Sequence, residues 1–296
     1  MDNRTPIIAV LSINVGDYSV FWKDFFLSAE ENLFPEAQKE YFVFTDKSDT
    51  LDFVSSNNVK IIEQEDLGWP FNTMKRFEMF NRISDKLEEF DYIFFANANA
   101  KFVKKLSIDI INFKKDYIVA EHPGYHFAAK EDKPFERRIE SKAFTPYDDG
   151  RYYVQGAFYG GKASSFLKMT KELDKLTKID LNHDIVAVWH DESFLNMFVA
   201  KNIEKVQILG WQYLFFEERV FPYKPVILLR DKRKYLSNKN DRFKGQNYKI
   251  QYFLLFLRNL KWSVMIAFRI INKEENITEA GLYVNNDITE HRMGKQ

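Results

Sequence analysis

The 296-residue chain contains no cysteine. That excludes a disulfide scaffold and thiolate-based metal or nucleophile chemistry. It has no net charge, 43 basic residues balancing 43 acidic ones, so as a whole it lacks the electrostatic footprint of a nucleic-acid-binding protein. No basic leader precedes the apolar run Ile7 to Ile13 and no small-residue cleavage site follows it. That run therefore reads as a first strand rather than a signal peptide. There is no internal repeat. Between Gly245 and Lys273 there is no acidic residue, and no apolar run there exceeds eight residues, too short to cross a bilayer.

What is present is a large apolar content, 45% hydrophobic with 29 Phe and 15 Tyr, enough for one large α/β domain or two small ones. Ile7 to Ile13 ends in Asn14-Val-Gly16-Asp17, a loop with turn chemistry. Ser19 to Leu33 has apolar residues at 21, 22, 25, 26, 29 and 33, a helical face stopped before Pro35. Tyr41 to Asp46 and Val59 to Ile62 read as further strands. Pro70, Asn72 and Thr73 open a predicted helix whose apolar face is Met74, Phe77, Phe80, Ile83, Leu87 and Phe90. This alternation of strand and helix argues an open, mainly parallel α/β sheet. The second half is less regular. Tyr117 to Ala120 and Tyr152 to Gly161 are strand-like, residues 129 to 151 form a charged excursion, and a helix is predicted from Ser164 to Thr177. A second helical stretch should end at Val199.

Asp91-Tyr-Ile-Phe-Phe-Ala-Asn97-Ala-Asn99 holds the sequence together. Tyr92 to Ala96 is a short apolar run suited to a strand buried on both faces, and such sheets bind ligands beyond the carboxyl ends of their strands. Asn97 and Asn99, one residue apart, would lie on the same side of an extended chain. A polar-x-polar strand end is the usual form of a nucleotide-sugar site, where two Asp hold a divalent ion. Here both are amides, and a turn capped by Asn is the competing reading.

The chain beyond Gln246 has a different character. On a helix, Arg258, Lys261, Arg269 and Lys273 fall within about 120° of one another beside a broad apolar face. A basic, aromatic-rich helix suits an anionic membrane interface; a C-terminal helix packed on the domain is the alternative. The organisation expected is a catalytic domain over 1–246, a basic amphipathic extension over 247–273, and a polar, mobile tail over 274–296.

Phe44-Thr-Asp46, Met74-Lys-Arg76-Phe-Glu-Met79, the Asn97-Ala-Asn99 strand end, His122-Pro-Gly124, Phe135-Glu-Arg-Arg138, Tyr152-Tyr153 with Gly160-Gly161, and Ala187-Val-Trp-His-Asp-Glu-Ser193 occur in this order. Together they resemble the retaining α1,3-galactosyl/N-acetylgalactosaminyltransferases of glycosyltransferase family six, over roughly Ile7 to Lys244. The resemblance implies a GT-A type nucleotide-sugar-binding α/β fold with a mixed, mainly parallel central sheet. It also implies transfer of GalNAc from UDP-GalNAc, with retention, to the 3-hydroxyl of a β-galactoside expected to bear α1,2-fucose. UDP-Gal as donor, or an inactive carbohydrate-binding descendant, are the alternatives.

Within that resemblance Glu192 is the expected catalytic residue. Retention requires a carboxylate opposite the leaving group, or front-side transfer with charge stabilisation. Asp191 should bind donor hydroxyls, and Trp189 and His190 should shape the acceptor pocket with His122 and Gly124. Arg76 matches the family's cation near the donor. Gln155, Gly156 and Ala157 match the segment setting donor choice, where a small Ala157 leaves GalNAc and Gal both open. Uridine contacts should come from Leu11, Ser12 and Ile13, from Tyr18 (whose alignment needs a small insertion) and from Asn97, Ala98 and Asn99. The acidic acceptor contact aligns with Phe216, Glu217 standing next to it. The departure is the Asn97/Asn99 pair: neutral amides supply no charge to dehydrate a divalent cation. No metal cofactor is therefore expected, and Arg76, Lys239, Arg242 and Lys244 should stabilise the leaving diphosphate. The partners expected are a UDP-sugar, a β-galactoside glycan and an anionic bilayer, with no nucleic acid. The expected setting is a bacterial enzyme on the inner face of the cytoplasmic membrane.

Overall fold

A computed structural model describes residues 4–51, 56–218 and 225–236, with Val264 and the pair Val284–Asn285. In chain order it contains β1 (Ile7–Ile13), α1 (Trp22–Asn32, entered through a 3-10 turn at Gly16–Phe21), β2 (Gln38–Thr45) and β3 (Val59–Glu63). Next come α2 (Phe71–Met74), α3 (Arg76–Asn81), α4 (Ser84–Leu87), β4 (Tyr92–Ala96), β5 (Ala100–Phe102), β6 (Tyr117–Glu121) and β7 (Val154–Lys162). The remainder is α5 (Ala163–Asn182), α6 (Asp191–Lys201), β8 (Val206–Leu209), β9 (Leu214–Phe216), β10 (Ile227–Leu229), α7 (Lys232–Tyr235) and β11 (Val284–Asn285).

The strands form one mixed sheet in the order β11-β8-β6-β7-β4-β1-β2-β3. β3, β2, β1 and β4 run parallel, as do β6 and β8, while β7 runs antiparallel between β4 and β6. This is the mixed, mainly parallel α/β sheet of the GT-A type. β4 is buried along its whole length, and its residues alternate faces as a pleat requires. Phe94 stacks on Phe158 on one side, whereas Phe95 packs on Phe80 and Tyr159 on the other. Reversal of β7 brings its amino end to the edge where β1, β4 and β6 end. Ala96 pairs with Phe158, and the Asn97 amide donates to the Ala157 carbonyl at 2.9 Å. That edge is where a ligand belongs in such a sheet.

Three expectations are corrected. The helix drawn from Pro70 to Phe90 is broken into α2, α3 and α4, with irregular backbone at Lys75 and Ile83. Met74, Phe77, Phe80, Ile83, Leu87 and Phe90 are nonetheless all buried. The first four are spaced by three, and a straight α-helix would rotate such a row off one face. Tightened turns, such as the Ile83 amide bonding to the Phe80 carbonyl, keep the row aligned. Second, α5 runs on past Thr177 to Asn182, carried by buried Thr177 and Asp180, the latter accepting from Ser141 Oγ at 2.6 Å and the Lys142 amide at 2.8 Å. Third, Asn97-Ala98-Asn99 is not extended. The Ala100 amide donates to the Asn97 carbonyl at 2.8 Å, closing a turn into β5, which joins β10 and β9 in a second small sheet. Asn97 and Asn99 therefore face different neighbours.

The basic stretch 247–273, apart from Val264, and the cluster Lys239, Arg242 and Lys244 lie outside the described residues. Within the polar 274–296 segment, β11 pairs antiparallel with β8.

Gly160 marks the closest approach of β7 to β4: a Cβ there would strike the Ile93 carbonyl oxygen and the Phe94 ring. Gly160→Ala should lower unfolding free energy by about 1–3 kcal/mol, read from urea denaturation. A midpoint equal to the parent's would show that the two strands can separate freely.

Candidate active site

The site is built around a strained turn. His190 lies at φ 53°, ψ −128° ahead of α6, a conformation that costs a non-glycine residue about 1–3 kcal/mol and needs the surroundings to enforce it. The enforcing contacts are visible. The Glu192 amide donates to the Trp189 carbonyl at 3.1 Å and the Trp189 amide to Ser193 Oγ at 3.0 Å. The preceding segment is clamped by Glu136, which is buried and accepts from the Val188 amide at 2.9 Å. Arg138 pairs with Glu136 at 2.6 Å and donates to the Val186 carbonyl at 2.6 Å. Burial works against the Glu136 charge, but the Arg138 guanidinium and two amides hold the carboxyl below its ordinary range.

Asp191 and Glu192, the first residues of α6, face different partners. Asp191 is buried against equally buried Arg76, Nη1 to Oδ2 at 2.6 Å. The same guanidinium donates to the Gly156 carbonyl at 2.8 Å and to Asn97 Oδ1 at 3.3 Å, and lies 4.2 Å from the centre of the Phe95 ring. Burial pushes the Asp191 carboxyl up while Arg76 opposes it. Glu192 accepts from the Tyr153 hydroxyl at 2.9 Å on Oε1 and from the Gly156 amide at 2.8 Å on Oε2. Burial pushes its carboxyl up to about 7 against the pull of those two donors, and neighbouring Asp191 adds to the rise. A buried carboxyl pushed toward neutrality beside a buried ion pair marks a candidate reaction centre.

His122 follows β6 and accepts from the Gly124 amide on Nδ1 at 2.9 Å. An accepting Nδ1 means a neutral ring protonated on Nε2. Its ring packs on Tyr125, Tyr153 and Phe216 at 4.7, 5.8 and 5.6 Å, so His122 reaches Glu192 through Tyr153. Trp189 is exposed, and His190 meets exposed Trp69 edge-on at 5.2 Å. Two exposed tryptophans thus flank His190.

On the expected donor side, Leu11 and Ser12 are buried at the β1 end, Ser12 Oγ accepting from Asn14 at 3.0 Å; Ile13 is partly exposed. Ala98 and Ala157 are buried, and Gln155 Oε1 has no hydrogen-bond partner among the described residues. Asn97 turns toward Arg76, whereas Asn99 Nδ2 donates to the Arg230 carbonyl at 2.8 Å. Glu217 is drawn elsewhere, accepting from the Asp231 amide at 2.7 Å and standing 3.3 Å from Lys234; Phe216 is the residue against His122. The structure adds groups that sequence reasoning gave no role: Tyr153, Tyr125, Trp69, the Glu136–Arg138 clamp and Lys232. Lys232 lies 5.0 Å from the centre of the Tyr18 ring and its charge is felt at Asp191. Among the described residues no three His, Asp or Glu side chains converge as metal ligands.

The sequence model described as glycosyltransferase family 6 matches residues 2–241. The Escherichia coli O-antigen biosynthesis glycosyltransferase WbnI is 36% identical over 228 residues, covering 77% of this chain and 96% of that protein. Rat histo-blood group ABO system transferase 2 is 28% identical, over 73% of this chain and 65% of its own length. Human globoside alpha-1,3-N-acetylgalactosaminyltransferase 1 is 27% identical, over 73% of this chain and 62% of its own length. The chain thus spans slightly under two thirds of the two animal relatives.

Removing Arg76 would strand the buried Asp191. Arg76→Met should destabilise the protein by about 3–5 kcal/mol and abolish turnover, while Arg76→Lys should recover part of the stability and little of the activity. Thermal unfolding followed beside a transfer assay checks this. A stable, active Arg76→Met protein would refute the central place given to the pair.

Proposed function

The chain belongs to glycosyltransferase family 6 and is a hexosyltransferase, and from that premise we propose that it moves GalNAc from UDP-GalNAc, with retention, to the 3-hydroxyl of a β-galactoside, the expected acceptor bearing α1,2-fucose. The observation that carries the reading is Glu192, held by Tyr153 and Gly156 at the amino end of α6 beside the Arg76–Asp191 pair. In its charged form Glu192 is suited to stabilise positive charge building at the anomeric carbon, or to attack it. Asp191, with one oxygen on Arg76, can accept from donor hydroxyls with the other. The His122 ring lies behind Tyr153 on the expected acceptor side, and exposed Trp189 has an aromatic face for the C–H side of a sugar.

For the leaving UDP, Asn97 and Asn99 bring no charge. We take Arg76 and Lys232, with Lys239, Arg242 and Lys244 beyond the described residues, as the cations that offset the developing charge, so that transfer needs no divalent metal. The relatives named as N-acetylgalactosaminyltransferases support GalNAc; the small Ala157 suits UDP-Gal equally, which keeps α1,3-galactosyl transfer as the second reading. An inactive carbohydrate-binding descendant would have little need of a strained His190 and a carboxyl titrating near neutrality.

One assay tests the whole reading: UDP-GalNAc and UDP-Gal against fucosylated and plain β-galactosides, with and without EDTA. Turnover should survive EDTA, favour UDP-GalNAc, and fall by at least about 100-fold in Glu192→Gln with UDP affinity little changed. Loss of turnover in EDTA would sink metal-independent transfer, and a normal rate in Glu192→Gln would remove its catalytic role.

We further propose that the basic 247–273 stretch contacts an anionic membrane surface, placing the enzyme on the inner face of the cytoplasmic membrane, each basic residue contributing on the order of 1 kcal/mol. The full chain should float with phosphatidylglycerol vesicles at low salt and less at high salt. Replacing Lys261 and Arg269 by Glu should weaken flotation; unchanged flotation would count against the contact.

A further inference from the structure

We propose that Tyr153 is a positioning residue for Glu192, its hydroxyl setting both the orientation and the charge state of the carboxylate; this rests on the role given to Glu192 above. The two oxygens of Glu192 have one donor each, Tyr153 on Oε1 and the Gly156 amide on Oε2. Tyr153 immediately precedes β7 and Gly156 lies near its start, so one short piece of backbone fixes rotation of the carboxylate plane. A side chain gripped by one oxygen could still turn about its last bond; gripped by both, it cannot.

The hydroxyl itself has little freedom. Tyr153 is buried, and its ring packs edge-on against Tyr125 at 5.2 Å, Phe135 at 5.1 Å and His122 at 5.8 Å. The strand that carries it is stapled to the helix carrying Glu192. Asn196, one turn further along α6, accepts from the Val154 amide at 2.8 Å and donates to the Val154 carbonyl at 2.9 Å, and also to the Glu192 carbonyl at 2.9 Å. Donor and acceptor of the Tyr153–Glu192 bond are thus held by the same buried amide. Burial beside the carboxylates raises the Tyr153 phenol well above its ordinary value, so it remains a donor throughout the working range.

The charged groups facing Glu192 are few. Asp191 precedes it on α6, Arg76 from α3 is paired with Asp191, and Tyr153 lies just before β7, with Tyr125 and His122 behind it on the loop after β6. Asp191 and Arg76 largely offset each other, which leaves the two hydrogen bonds as the contacts favouring a charged Glu192. Losing the phenol donor favours the neutral acid, so activity that needs the carboxylate should recover only at higher pH.

The experiment is kcat/KM against pH, from about pH 5.5 to about pH 9, for the parent, Tyr153→Phe and Glu192→Gln, with UDP affinity and thermal unfolding alongside. Tyr153→Phe keeps the ring and removes only the donor. Its acid limb should move up by about one unit, giving a roughly tenfold loss at the acid end and a loss of about threefold or less at the alkaline end. A limb coincident with the parent's, or an equal loss at every pH, would overturn the inference. 3-Fluorotyrosine at position 153 supplies a stronger donor without changing the fold and should shift the limb the other way; an unmoved limb there also counts against it. The readings separate cleanly. An active Glu192→Gln defeats the role of Glu192 itself, whereas an inactive Glu192→Gln with an unshifted Tyr153→Phe profile defeats only the positioning role.

Discussion

The buried Arg76–Asp191 pair is the contact on which the rest of the site depends. Two charges removed from water at 2.6 Å contribute little net stability unless their remaining hydrogen-bonding capacity is met. Here Arg76 meets much of its own by donating to the Gly156 carbonyl and to Asn97. Those partners belong to β7 and to the turn after β4, and Asp191 opens α6. One guanidinium therefore ties together a helix start, a strand and a turn remote from one another in sequence. Once Asp191 is pinned, its neighbour Glu192 has one place to go: against the Gly156 amide and the Tyr153 hydroxyl. The pair sets the register of the candidate reaction centre.

That arrangement explains why the strain at His190 can be kept. The turn is bounded on one side by Asp191 in its ion pair and on the other by Val186 and Val188 in the grip of Glu136 and Arg138. Both anchors are buried carboxylates bonded to arginines. Between them lie exposed Trp189 and His190, whose ring meets exposed Trp69. Rigid support on both flanks and an exposed aromatic crest between them suits a surface that must recognise a sugar ring without collapsing into the core.

Much of this was legible from residue pattern. The all-apolar Tyr92–Ala96 segment read as a doubly buried strand, and the alternation of strands with helices gave the parallel half of the sheet. The Trp-His-Asp-Glu-Ser segment stood out through its resemblance to a family motif, and the fold sets its two carboxylates beside Arg76 and Tyr153. Less visible were features carried by contacts distant in sequence. Nothing local in Phe135-Glu-Arg-Arg138 says that its carboxylate will bind the Val188 amide, and Tyr153 reads as one more aromatic strand residue until β7 is seen to run antiparallel. The three-residue spacing from Met74 to Ile83 did hold the clue to the broken helix, because it matches tightened turns better than a 3.6-residue period. The strand end at Ala96 was read correctly, but Asn99 was misplaced because the chain beyond it was taken as extended; the turn sends its amide to Arg230.

The fate of Asn99 also bears on how the chain after β10 is placed. Bound to the Arg230 carbonyl, it fastens the β4 turn to the end of β10, and the Arg230 amide returns a bond to the Asn99 carbonyl at 2.9 Å. Arg230 in turn pairs with Asp24 at 2.7 Å, donates to the Phe21 carbonyl at 2.8 Å and lies over the Phe21 ring. The chain after β10 is thereby locked against the start of α1. Lys232 follows two residues later and comes to rest over Tyr18, within electrostatic reach of Asp191. An aspartate at position 99 would set a carboxylate against the Arg230 carbonyl oxygen, unfavourable for both, whereas an amide makes the same position a donor. The Asn-Ala-Asn end therefore does more than omit charge: one amide bonds Arg76, and the other anchors the segment that brings a lysine over Tyr18.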